Sequence, residues 1–94
     1  MKPPPDLLVQ HNPAAHRFEA TVDGHLAVAE YALEGDRMIF THTFVPPELR
    51  GRGLAEKLVR AGLDFARAEG RKVVPACSYV GGFIERHAEY QSLL

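Results

Sequence analysis

Ninety-four residues make one domain that buries roughly 60–65% of its unfolded surface, so one small core has to serve both stability and function. Eleven Lys and Arg against twelve Asp and Glu leave a formal net charge of −1, which argues against a chain built to grip a polyanion and confines any anion site to a local feature. The single cysteine, Cys77, excludes an internal disulfide, and the five histidines fall at no metal-ligand spacing, so no structural metal is expected.

Residues 1–10 hold Pro3, Pro4 and Pro5 and an apolar run of only Leu7, Leu8 and Val9, too short for a signal-peptide core or a membrane span. They are expected to be a mobile tail ahead of a single domain over residues 11–94, cytoplasmic and with neither membrane nor nucleic acid as partner. Alternation begins at residue 17, with Phe18, Ala20 and Val22 opposite Arg17, Glu19 and Thr21, the pattern of a half-buried strand. Asp23-Gly24 is a hairpin signal, and residues 25–33 form a second strand with Ala27, Ala29, Tyr31 and Leu33 on one face. After a turn at Glu34-Gly35-Asp36, a third strand is expected to put Met38, Phe40, His42 and Phe44 on one face.

The period then changes. Leu54, Leu58, Ala61 and Phe65, flanked by Val59, Gly62 and Ala66, line one face of a helix that runs to about residue 69, where Gly70 stops it. Residues 72–77 read as a short strand interrupted by Pro75, and a weaker helix follows over residues 79–87. The order βββαβα predicts an antiparallel meander, then a crossover helix that returns the fourth strand parallel to the third. Pro75 has no N–H to donate, so it either breaks the ladder between those two strands or sits on an edge.

The loop before the long helix poses a question of hydrogen bonding. Residues 46–53 contain no Ser, Thr, Asp or Asn to cap the helix, although its first N–H groups need partners. They do contain Gly51 and Gly53, which permit tight turns and close approach of a ligand, and Arg50 and Arg52, which add charge at the positive end of the helix dipole. Phosphate suits such a loop; water, or a separate turn at Pro47 and Glu48, would satisfy it otherwise. A Walker loop is excluded because Gly53-Leu54-Ala55 lacks the lysine and the hydroxyl, and a dinucleotide fingerprint is disfavoured by Glu56 and by the preceding meander.

Arg50-x-x-Gly53-x-Ala55 directly after a strand resembles the Q/R-x-x-G-x-G/A pyrophosphate signature of the GNAT superfamily, the acetyl-CoA-dependent N-acetyltransferases. The chain is most similar to a short branch with an H-T-x-V-P-x-x-x-R-G-x-G core, a V-x-P-x-C strand and a terminal H-P-E-Y. Here these read His42-Thr43-Phe44-Val45-Pro46, Arg50-Gly51-Arg52-Gly53, Val73-Val74-Pro75-Ala76-Cys77 and His87-Ala88-Glu89-Tyr90. Ala88 stands in the proline's place, in an expected loop.

The resemblance implies a small GNAT-like α/β fold, with the diphosphate of acetyl-CoA or coenzyme A on the amides of residues 50–55. The pantetheine arm would lie between two splayed parallel strands. Helix-end electrostatics contribute only about 0.3–2 kcal/mol, whereas micromolar affinity needs about 8, so the slot must supply much of the rest. By the same resemblance a backbone N–H near Phe44 or Val45 polarises the thioester carbonyl. Tyr79 and Phe83 are assigned to the cofactor side, and Arg86 either reaches a cofactor phosphate or belongs to a solvated helix face.

For the chemistry, His42 would act as general base, the alternative being a hydrogen-bonded core histidine, and Cys77, unless it is an inert buried thiol, could accept acetyl before passing it on if His42 or the following helix start lowers its pKa. Tyr79 and Tyr90 are both able to donate a proton to a leaving thiolate. The tyrosine usual on the last GNAT helix has no counterpart, since Ile84 or Glu85 aligns with it. The reading is therefore an N-acetyltransferase acting on an amine, small molecule or polypeptide, against two alternatives: an acyl-CoA sensing module without turnover, and a protein-interaction domain. Neither the acceptor nor the oligomeric state is written in the sequence.

Overall fold

The computed structural model describes residues 9–94. It contains strands β1 (Gln10–Asn12), β2 (Arg17–Val22), β3 (His25–Glu34) and β4 (Arg37–Phe44), helix α1 (Leu54–Ala68), strand β5 (Lys72–Pro75) and helix α2 (Ser78–Arg86). Short 3₁₀ turns at Pro13–Ala15, Pro47–Leu49 and Ala88–Leu93 connect or finish them; the last occupies the segment expected to be loop.

Five strands form one sheet in the order β1-β2-β3-β4-β5, antiparallel except for the parallel pair β4 and β5. The expected meander and crossover are thus present. β1 is an addition: of the anticipated tail, residues 1–8 lie outside the described residues, but Gln10 pairs with Glu19 and Val9 packs against the core. The Asp23-Gly24 hairpin forms as its residues dictate, with positive φ at both (51° and 78°), the twist-matching turn for antiparallel strands.

A single core joins the inner face of the sheet to the helices, through Phe18, Ala29, Tyr31 and Phe40 from the strands and Leu58, Leu63 and Phe83 from α1 and α2. The buried stripe of α1 is Leu54, Leu58, Val59, Gly62, Leu63 and Ala66. It is centred one residue position away from the expected Leu54-Leu58-Ala61-Phe65 line, because Phe65 turns to the edge and meets His11 and Phe18 edge-on. Each fully buried Leu or Val there stabilises the fold by about 1.5–3 kcal/mol. Gly62 lets the helix approach, since a Cβ at that position would stand 2.7 Å from the Phe40 ring.

The expectation of four aligned residues on the third strand is corrected by the sheet. Tyr31 pairs with Phe40 and Glu30 with His42, so Thr41 is an extra residue, a bulge. The bulge reverses the alternation. Met38 and Phe40 are buried against the helices, whereas His42 and Phe44 emerge on the open face and Thr43, opposite Ala29, joins the helix side.

Candidate active site

The ladder between β4 and β5 ends early. Phe40 opposite Pro75 is the last pair, after which the Cys77 N–H donates to Phe40 O at 2.8 Å and the chain turns into α2. Residues 41–44 of β4 therefore continue without a parallel neighbour. β5 is the edge strand, and because the Lys72 N–H faces β4 and donates to Asp36 O, the nitrogen of residue 75 faces the open edge, so Pro75 takes the edge position that a residue without an N–H can hold. The strand is shorter than the expected 72–77 because the Ala76 N–H turns back to donate to Val74 O at 3.1 Å.

Below this opening lies the loop from Val45 to Gly53. Pro46 and Pro47 start a 3₁₀ turn whose Leu49 is buried and anchors the loop, so the separate turn exists and α1 still begins afresh at Leu54. Gly51 (φ 82°) and Gly53 (φ 76°) are left-handed, and a Cβ at either would meet nothing within 4 Å. Backbone conformation, not crowding, thus calls for glycine. The start of α1 has no side-chain cap. Arg50 folds back so that Nε donates to Val45 O at 3.0 Å, and Arg52 sits 3.7 Å from Asp23 in an exposed pair of small energetic consequence.

Together these residues border a cleft of about 190 Å³ that Val45, Arg50, Gly51, Gly53, Leu54 and Ala55 share with Tyr79. Leu49 and Glu56 also line it and were not anticipated; Glu56, on the second residue after Ala55's neighbour Leu54, carries a carboxylate that Arg60 partners at 3.2 Å. Four anticipated cofactor residues are not part of this lining. Phe44 is 43% exposed on the open face, Arg52 pairs outward, Phe83 is buried and stacked on His87 at 4.0 Å, and Arg86 lies in the last turn of α2.

Cys77 is the residue immediately before α2, in extended conformation and partly buried. Its Sγ is 3.6 Å from Thr43 Oγ1. Burial opposes ionisation, but hydrogen bonds from the Val80 amide, the Thr43 hydroxyl and the Tyr79 and Thr43 backbone outweigh it, so the thiol is held below its usual value. His42 has no part in this; it stacks on Phe44 on the far side of β4, ring centroids 6.4 Å apart.

Two tyrosines differ in availability. Burial, opposed by Arg86 and aided by Glu56, pushes the Tyr79 phenol up and keeps it protonated beside the cleft. Tyr90 is buried, donates to Asp64 Oδ1 at 2.8 Å and lies beneath Arg60 and Arg67, a lock for the C-terminal segment. Thr43 was the residue missed by sequence reasoning: it stands inside the His42-Thr43-Phe44-Val45-Pro46 motif, but a regular strand would turn its side chain away from Cys77.

A family model described as GCN5-related N-acetyl-transferase matches residues 17–93. Protein NATD1 of Mus musculus is 33% identical over 84 residues, covering 86% of this chain and 76% of the relative. The Xenopus tropicalis protein of the same name is 30% identical over 90 residues, covering 93% and 83%. Among solved structures, the solution structure of a GCN5-like putative N-acetyltransferase from Staphylococcus aureus superposes with a TM-score of 0.74 at 26% identity, covering 94% of this chain and 87% of that one. With the antiparallel meander, the parting of β4 from β5 and the uncapped helix start, the chain belongs to the GCN5-related N-acetyltransferase family.

Proposed function

We propose that the protein binds acetyl-CoA and transfers the acetyl group to an amine through an acetyl-Cys77 intermediate. The observation that carries this reading is the convergence, at one end of the sheet, of an uncapped helix start lined by two left-handed glycines and a partly buried thiol at the parting of β4 and β5. The donor set suits a diphosphate. The first amides of α1 have no side-chain cap, no side chain stands on Gly51 or Gly53, and Arg50 brings positive charge to the cleft lining. Among the described residues that line the cleft Glu56 is the one acidic neighbour, and Arg60 offsets its charge.

In this reading Cys77 attacks the thioester carbonyl as thiolate. Its C–S bond forms as the bond to the coenzyme sulfur breaks, and Tyr79, protonated and at the cleft, gives its proton to the departing sulfur. The acceptor amine then attacks acetyl-Cys77, Cys77 leaves as thiolate, and the Tyr79 phenolate takes the amine proton, which restores the phenol; His42, the expected base, stands on the opposite face of β4. Phe44, the last residue of β4, and Val45 after it lie beyond the last β4–β5 pair, and their backbone N–H groups are the expected donors to the carbonyl oxygen.

The test is intact-mass analysis after incubation with acetyl-CoA and without acceptor. A gain of one acetyl group in the wild type, lost in Cys77→Ala, is expected. Coenzyme binding with no adduct and no acetylation of any peptide or polyamine in a broad panel would favour a sensing module.

A further inference from the structure

We propose that Thr43 is a positioning residue for this transfer, its hydroxyl turning from acceptor to donor as Cys77 ionises and holding the sulfur toward the parted strands. The inference rests on the acetyl-Cys77 reading and extends it to a side chain with no other evident task. Thr43 reaches the thiol only because the Thr41 bulge, in which Thr41 Oγ1 donates to Glu30 O at 3.3 Å, swings residue 43 to the helix side. Without that insertion the hydroxyl would lie on the open face of the sheet and His42 on the helix side.

With a protonated thiol, Sγ donates to Thr43 Oγ1 at 3.6 Å. Once the proton leaves, the sulfur can only accept, and a hydroxyl is free to rotate and donate. Thr43 then completes a set of donors that includes the amides of Tyr79 and Val80 at the start of α2 and the backbone of Thr43 itself. A hydrogen bond to an ionised group is about twice as strong as one between neutral groups, so the hydroxyl favours the thiolate over the thiol. Among the described residues no charged side chain shares this work: none of the groups bearing on the thiol is ionic, Lys72 starts β5 at its other end, His42 lies on the other face of β4, and Glu85 and Arg86 occupy the far end of α2. A neutral hydroxyl also tolerates the neutral acetyl-cysteine that follows, where a cation would be left unpaired.

Cys77 is the only cysteine in the chain, so its acidity can be read directly from the pH dependence of alkylation by iodoacetamide. Thr43→Val keeps shape and removes the hydroxyl; it should raise the midpoint by about one pH unit and slow alkylation at pH 7 about tenfold. Thr43→Ser should restore both. Thr43→Ala carries the same comparison if the valine variant does not fold, with circular dichroism as the control. An unchanged midpoint in the folded Val or Ala variant, or a serine variant that behaves like them, would overturn the assignment. Because alkylation needs neither coenzyme nor acceptor, absence of the acetyl adduct in wild type would defeat the transfer reading separately.

Discussion

Gly53 gives the sharpest separation of fold from ligand. Its φ of 76° costs an L-residue about 1–2 kcal/mol, while the space around an added Cβ is empty to 4 Å, so Gly53→Ala should lose that backbone energy and nothing else. In a domain of this size the loss lowers Tm by roughly 4–8 °C per kcal/mol. Gly53→Glu suffers the same strain and adds a carboxylate at the uncapped start of α1. A charge about 5 Å from a bound diphosphate, at an effective dielectric constant of about 20, is repelled by about 3 kcal/mol for each unit charge, equivalent to more than a hundredfold in Kd. Titration calorimetry with coenzyme A, beside thermal melts, should therefore find two variants with similar Tm and very different affinities, the alanine form binding within a fewfold of wild type. If the glutamate variant binds as the alanine variant does, no diphosphate rests on these amides and the cradle argument fails.

Three further outcomes follow from other parts of the molecule. Gly62→Ala gains about 1 kcal/mol of helix propensity but drives a Cβ to 2.7 Å from buried Phe40, an overpacking cost of about 1–3 kcal/mol; urea unfolding should show a net loss, and a more stable variant would contradict the packing. His11 accepts or donates at 2.6 Å to Tyr31 Oη and stacks on Phe18, and burial, opposed by Glu69, holds its pKa below the usual value. The unfolded chain thus binds the proton more tightly, so stability is full above about pH 6.5 and is lost as pH falls through the lower, folded value. His11→Gln should flatten the difference in Tm between pH 7.5 and pH 5.5, and the same acid loss in that variant would exonerate the histidine. His42 stands across β4 from Cys77, so His42→Ala should leave the pH–rate profile of acetyl transfer unaltered; loss of a limb in that variant would make the histidine the base for the acceptor amine.

Much of the architecture was legible because short-range patterns fix it. Period-two alternation marked β2 and β3, Asp23-Gly24 specified their turn, the apolar stripe marked α1, and Pro75 marked the end of the β4–β5 ladder. β1 was not legible, since three residues carry too little pattern and owe their conformation to the edge of β2. At the site, the lack of a capping side chain and the two glycines pointed to the loop that borders the cleft. The distribution of roles around Cys77 could not be read in the same way.

Local residue chemistry therefore determined where strands, turns and helices form and where a helix start is left bare, because each depends on neighbours within a few positions. Which side of β4 meets the thiol was decided by the bulge at Thr41, a matter of register with Glu30, eleven residues earlier in the chain. One inserted residue exchanges the two faces of a strand. Only assembly of the sheet settles that Thr43, and not His42, stands beside Cys77.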